Sequence, residues 1–205
     1  MCAITASFSK EKLLELYRLN AYRGELSYSY NAFEHNEGKV QVNILMKDHG
    51  PLPEVLVTEM HHFENAFYIA HSQAPTTQSK NIHPAIFGDC LLWHNGIIKQ
   101  KTITAGTWDT EWLLEQITNY GWSSLSRIDG TFACMMYNNG ELFVFRNEIS
   151  PMFYDKDLNL SSTKFDGSLS LEPNKVFKLN LEHKQLSPVA YFQTKENPYY
   201  IPETA

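Results

Sequence analysis

With 43% hydrophobic and 20% charged residues, this chain of 205 residues has the composition of an ordinary globular protein, long enough to fold without a disulfide or metal. Its net charge of −6, with no block of lysine and arginine, argues against a nucleic-acid or membrane-surface binder. Three cysteines without a C-x-x-C pair argue against a disulfide framework or a zinc site. With no secretory signal and no apolar run of membrane-spanning length, the sequence predicts a cytoplasmic protein.

The first third of the chain predicts strands around one helix. Ser9 is a candidate N-cap for an amphipathic helix in "KEKLLELYRLNAYRG". The stretch "YNAFEHNEGK" (30–39) has the composition of a turn region, and "PLPEVLVTEM" (51–60), with two prolines, predicts a loop that leads into a short element. Alternation of apolar and polar residues predicts strands at 3–8, 25–33 and 39–46.

The rest of the chain predicts more strands and a second helix. "DCLLWHNGIIK" (89–99) predicts a strand, a turn and another short strand. "GTWDTEWLLEQITNYGW" predicts a helix capped by Thr107 or Asp109 and ended by Gly121. Asn-Gly at the centre of "GTFACMMYNNGELFVFRN" predicts a tight hairpin turn. Further strands are predicted at 66–72 and within 175–192.

Many strands and two helices favour an α+β protein with largely antiparallel sheet. No repeat and no linker rich in proline, glycine or serine divides the chain. We therefore predict one domain over 1–190. Residues 191–205, with two prolines and little pattern, predict an extended or mobile tail.

Several short motifs occur in a fixed order along the chain. They are Cys2, "YRGELSYSYN" (22–31), "IAHSQAPT" (69–76), "HNG" (94–96), "DTE" (109–111) and "DGTFA" (129–133). In this order the sequence resembles the class II glutamine amidotransferases, which are N-terminal-nucleophile hydrolases. The later stretches "VFRNEISPMFY" and "LEPNKVFKLN" are also similar to that family, so the resemblance covers about residues 2–190. It implies a four-layer α-β-β-α sandwich of two antiparallel sheets, and no metal, flavin or nucleotide for the hydrolysis.

The resemblance makes Cys2 the catalytic nucleophile, and the chemistry of the residue agrees. Once Met1 is removed, the α-amino group titrates at about 7.7–8.0, close to the thiol at about 8.5, so it can serve as the base. The Asn95 side chain and the Gly96 backbone N–H suit an oxyanion hole, because glycine lets the main chain approach closely. Water would then hydrolyse the thioester.

Four more residues are expected to bind the substrate. Asp109 matches the family residue that binds the α-ammonium group of glutamine, and Thr76 matches a family hydroxyl. Gln73 stands where the family has an arginine for the α-carboxylate, a loss of charge that weakens glutamine binding by roughly one to two decades. Arg23 is expected to support the loop near the site, in preference to replacing the missing charge.

The leading hypothesis is a stand-alone glutamine amidotransferase or glutaminase that forms a thioester on its N-terminal cysteine. It would act on glutamine or a related amide and release ammonia for a separate synthetase chain. One alternative is an amide hydrolase of the same fold that acts on a different amide. Another is a non-catalytic subunit of a synthetase complex, against which the four residues Cys2, Asn95, Gly96 and Asp109 argue.

Overall fold

Two antiparallel sheets, stacked face to face, form the centre of the computed structural model, which describes residues 2–36, 38–59, 63, 65–74, 81–99, 103 and 107–194. The strands are β1 (Ala3–Ser7), β2 (Ser27–Asn36), β3 (Lys39–His49), β4 (Phe67–Gln73), β5 (Ala85–Phe87), β6 (Cys90–Ile98), β7 (Gly130–Asn138), β8 (Glu141–Arg146), β9 (Phe153–Tyr154), β10 (Leu160–Ser161), β11 (Leu169–Ser170), β12 (Lys175–Asn180) and β13 (Gln185–Tyr191). The helices are α1 (Lys10–Leu19), α2 (Glu54–Glu59) and α3 (Asp109–Tyr120).

The first sheet has the order β11-β9-β10-β1-β4-β2-β3, and the second has the order β13-β12-β8-β7-β6-β5. Their facing sides share one apolar core, since each strand turns alternate side chains inward. Residues of both sheets meet in that core: Ile4, Phe33 and Ile69 of the first, with Trp93, Met135 and Val144 of the second.

Helices cover the outer face of each sheet. Leu13 and Tyr17 of α1 pack with Tyr30 and Tyr68 on the first sheet, and Val57 of α2 joins the same cluster. On the second sheet a separate cluster joins α3 to β7 and β8, through Leu113, Ile117, Phe132, Cys134 and Phe145. The layers therefore follow the order helix, sheet, sheet, helix, which confirms the predicted α-β-β-α sandwich. None of the helices within the described ranges has the length and apolar character needed to cross a bilayer.

Local sequence signals determine several element boundaries as predicted. The Ser9 hydroxyl accepts from the Lys12 N–H at 3.1 Å and so caps α1. Asn139 and Gly140 have φ values of 48° and 87°, which is the left-handed pair that a tight hairpin between β7 and β8 requires. Gly121, at φ 71°, follows the last residue of α3, as expected.

Three predictions about local structure were wrong. No turn divides the stretch 90–98, because β6 pairs with β7 without interruption from Cys90 to Ile98. The turn region between β2 and β3 is much shorter than 30–39, since pairing continues to Asn36 opposite Lys39. Residues 54–59 form α2 instead of a loop, because both prolines precede the helix and so break none of its hydrogen bonds.

The helix cap of α3 also differs from the prediction. Its N-cap is Trp108, with no hydrogen bond from the side chain, so neither Thr107 nor Asp109 caps it. Asp109 is the first helical residue, and its carboxylate bonds to strand β6. At the other end of the chain, residues 195–205, most of the predicted tail, lie outside the described residues.

Candidate active site

Cys2 lies directly before β1, with 8% of its surface exposed. The backbone of Ala74, at the end of β4, hydrogen-bonds to its sulfur. Burial raises the pKa of the Cys2 thiol, while the Ala74 hydrogen bond and the Arg23 charge act to lower it. The thiol is therefore held mostly protonated near neutral pH, so that forming the thiolate needs a base close by.

Arg23 and Asn95 hold the backbone of Cys2. Arg23 Nε donates to the Cys2 carbonyl at 2.9 Å. The amide orientation that satisfies Asn95 places its nitrogen 2.8 Å from the same carbonyl and its oxygen 3.2 Å from Arg23 Nη2. Three of the predicted site residues thus form one closed hydrogen-bonded cluster. The contacts of Arg23 favour the expected role in supporting the loop over compensation for a missing charge.

Gly96 has a steric requirement that the sequence did not indicate. Its φ is 154°, and a Cβ built there would lie 1.9 Å from the carbonyl oxygen of Thr131 on β7. The neighbouring strand therefore occupies the space that any side chain would need. Glycine is required here by the packing of the sheet, whatever role the Gly96 N–H has toward a substrate.

Asp109 approaches the same region from α3. Its Oδ2 accepts from the Ile98 N–H at 3.2 Å, which ties the first residue of the helix to the end of β6. The carboxylate is close enough to Cys2 to act on the thiol's charge, in the direction that raises its pKa. A negative charge within electrostatic reach of the thiol suits a ligand that carries a cation.

Gln73 is buried at the end of β4, with 6% of its surface exposed. Its Oε1 accepts from the Ser27 hydroxyl at 2.9 Å, and its Nε2 donates to the Asn81 carbonyl at 3.0 Å. Thr76, the other residue predicted to contact the α-carboxylate, lies outside the described residues.

Ser162 is a contact of the site that sequence reasoning missed. Its hydroxyl lies 3.3 Å from the Asn95 amide and accepts from the Ile4 N–H at 3.0 Å. The Ser162 N–H also donates to the Ile4 carbonyl at 3.0 Å. Ser162 thus fixes both Asn95 and the strand that follows Cys2. The serine-rich stretch "LNLSST" was the signal that could have identified it.

A buried histidine cluster lies behind the site and was also missed. The rings of His71 and His83 stack with centroids 4.0 Å apart. The His71 Nε2–H donates to the carbonyl of His94, at 3.3 Å. Nε2 of His83 and Nδ1 of His94 each lie 3.2 Å from the Thr110 hydroxyl, so that Thr110 bridges the two rings. Because His94 precedes Asn95 and Thr110 follows Asp109, this cluster connects the strands of the site to the start of α3.

Burial keeps the rings of His71 and His83 neutral. It lowers the pKa of His71 to about 3, and lowers that of His83 well below the usual value for histidine. Among the residues that the structure describes, no three His, Cys, Asp or Glu side chains are placed to hold a metal ion. The doublet His61–His62 is outside those residues.

The fold has clear counterparts among solved structures. Glutamine phosphoribosylpyrophosphate (PRPP) amidotransferase from B. subtilis, complexed with ADP and GMP, matches with a TM-score of 0.64 and 18% identity, over 92% of this chain and 49% of that chain. A structure described as the allosteric regulatory enzyme of purine biosynthesis matches with a TM-score of 0.59 and 19% identity, over the same shares of the two chains.

No protein-family model matches the sequence, and no curated protein sequence matches it significantly. The chain spans about half the length of the two structural neighbours, 49% in each comparison. The likeness supports the resemblance found in the motifs and concerns the fold: over nearly its whole length, the chain is folded like part of a glutamine amidotransferase.

Proposed function

We propose that the protein hydrolyses the side-chain amide of a glutamine substrate through a thioester on Cys2 and releases ammonia. The observation that carries this proposal is the cluster around Cys2. The buried Cys2 thiol accepts a hydrogen bond from a backbone N–H, and Arg23 and Asn95 both bond to the Cys2 backbone carbonyl. The Asp109 carboxylate is close enough to raise the pKa of the thiol. The fold shared with a glutamine amidotransferase supports the same conclusion.

The first half of the reaction transfers the acyl group to sulfur. With Met1 removed, the α-amino group of Cys2 accepts the thiol proton, as the raised thiol pKa requires. The sulfur attacks the amide carbon, so that a C–S bond forms and the carbonyl oxygen becomes an oxyanion. An amide nitrogen carries two hydrogens. We assign one of those on Asn95 to the Cys2 carbonyl and the other, with the Gly96 N–H, to the oxyanion.

The second half regenerates the thiol. The C–N bond breaks, and ammonia leaves with the proton held by the α-amino group. Water then attacks the thioester carbon and gives its proton to the same amine. A C–O bond forms and the C–S bond breaks, and the leaving sulfur takes back the proton held by the amine, which returns Cys2 to its starting state. The released side-chain carboxylic acid gives its proton to the ammonia and becomes a carboxylate. The α-ammonium group of the substrate would bind Asp109.

The ammonia acceptor belongs to the proposal as well. We propose that the released ammonia is taken up by a separate synthetase chain. Cys2, Cys90 and Cys134 are all free thiols, which suits a cytoplasmic enzyme.

Paired cysteine variants test the proposal. Cys2→Ala should abolish ammonia release from glutamine and from glutaminyl peptides, measured with a coupled ammonia assay. Cys90→Ala is the matched control, because Cys90 lies at the start of β6 and bonds to Asn138 on β7, with no contact to the Cys2 cluster. The control should keep the wild-type rate. Ammonia release that survives Cys2→Ala would contradict the proposal, whereas no release from the wild-type protein would favour a non-catalytic subunit.

A further inference from the structure

The residue that faces Cys2 across the sheet is Gln73. Strands β1 and β4 pair antiparallel, with Ala3 opposite Ser72, so continuing the register by one residue sets Cys2 opposite Gln73. Residues directly opposite in an antiparallel pair have Cβ atoms within about 5 Å of each other. A substrate whose side-chain amide is bound at Cys2 would therefore have its other polar groups close to Gln73.

Gln73 presents no charge at that place, and each polar atom of its carboxamide already has a partner within the protein. Its oxygen accepts from Ser27 and its nitrogen donates to the Asn81 carbonyl, and the side chain is buried. Both bonds are made within the protein, so the carboxamide is satisfied before any substrate binds. Turning the amide toward a ligand would break the bonds to β2 and to residue 81.

The two charged groups near Cys2 also have defined partners. Asp109 supplies a negative charge for an ammonium group. The Arg23 guanidinium is engaged by the Cys2 carbonyl and by the Asn95 oxygen. Among the residues that the structure describes, none offers an unengaged positive charge to a carboxylate placed beside Gln73. Such a carboxylate would lose water at a high cost, whereas an amide carries no charge and loses much less.

We propose that the preferred substrate is a glutamine whose α-amino group is free and whose α-carboxyl group is joined in an amide, as in the N-terminal glutamine of a peptide. This inference rests on the proposed function, because it assigns the substrate class of the same Cys2 site. The balanced reaction is glutaminyl peptide plus water to glutamyl peptide plus ammonia. Free glutamine is then the poorer substrate.

The test compares glutaminyl-glycine with free glutamine on the wild-type enzyme. Chromatography of the product separates glutamyl-glycine from the peptide that has cyclised without enzyme. We expect kcat/KM for glutaminyl-glycine to exceed that for glutamine by about 10-fold or more. A carboxylate that lacks a hydrogen-bonding partner loses about that factor in binding affinity. Equal or better use of free glutamine would overturn the inference and leave the proposed function standing.

Substitutions at residue 73 give a second, independent measurement. Gln73→Arg supplies the missing charge and should shift the preference toward free glutamine by roughly 10- to 100-fold. Gln73→Met, uncharged and of similar size, is the matched control and should keep the preference for the peptide. Loss of the peptide preference in Gln73→Met would also overturn the inference. Failure of wild type to hydrolyse either compound would refute the proposed function together with the inference.

Discussion

At the scale of single residues, the proposed reaction depends on how Cys2 becomes a thiolate. Burial raises its pKa, and the Asp109 charge acts in the same direction. The hydrogen bond from Ala74 and the charge of Arg23 offset part of that effect. A nucleophile in these surroundings needs a base within reach, and the α-amino group of the same residue would be the nearest one.

Substitution of Asn95 tests the proposed stabilisation of the oxyanion directly. We predict that Asn95→Ala lowers kcat by about 100- to 1000-fold, the loss typical of removing one such donor. The measurement is steady-state ammonia release, with the melting temperature recorded in parallel because Asn95 also bonds to Cys2. Asn43→Ala is the control: Asn43 is exposed on β3 and bonds to Glu34. A folded Asn95→Ala variant with the wild-type kcat would exclude Asn95 from the oxyanion hole.

Single residues also show what sequence reasoning can and cannot foresee. Motif order was enough to select Cys2, Arg23, Asn95 and Asp109, which the structure brings into one region. The reason for Gly96 was not foreseeable, because the Thr131 carbonyl that excludes a side chain belongs to a strand 35 residues further along the chain. Contacts at such separations depend on sheet register, which local patterns do not specify.

At the scale of elements, β6 explains why the "HNG" motif was misassigned. Asn-Gly is a turn signal in isolation, but β6 pairs with β7 along its whole length, from Cys90 to Ile98, and so continues as a strand through the motif. Tertiary pairing therefore overrides the local preference. Because the strand continues through the motif, His94 lies in the buried cluster while Asn95 reaches Cys2.

The histidine cluster joins β4, β6 and α3, and it makes their packing sensitive to pH. The unfolded chain takes up a proton on each histidine as the pH falls through about 6.5. In the folded protein, His71 takes up its proton only near its pKa of about 3. Between about pH 6.5 and pH 3 the folded state therefore binds fewer protons than the unfolded state. Stability is therefore complete above about pH 6.5 and is lost as the pH falls, by about 1.4 kcal/mol per pH unit for one such group.

We accordingly predict that the free energy of unfolding, measured in urea, decreases from pH 6.5 to pH 4 with a slope that His71→Gln makes shallower. Glutamine can still donate to the His94 carbonyl but does not take up a proton. His49→Gln is the matched control, because His49 is exposed at the end of β3. An identical slope in wild type and His71→Gln would show that His71 does not carry the pH dependence.

At the scale of the whole molecule, the layered architecture follows from the sequence more directly than the site does. Alternating strands, two amphipathic helices and one Asn-Gly hairpin indicated antiparallel sheet, and the motif order indicated the sandwich. The long-range order of the strands was not predictable from the residues alone. Strand β10, for example, pairs with β1 across more than 150 residues and brings Ser162 to the site.

The most direct test is to measure the intact mass of the active protein with and without diazo-oxo-norleucine, an electrophilic analogue of glutamine. We predict a chain that lacks Met1 and takes up one equivalent of the electrophile, and no uptake in Cys2→Ala. Full activity in a preparation that retains Met1 would contradict the N-terminal-nucleophile mechanism.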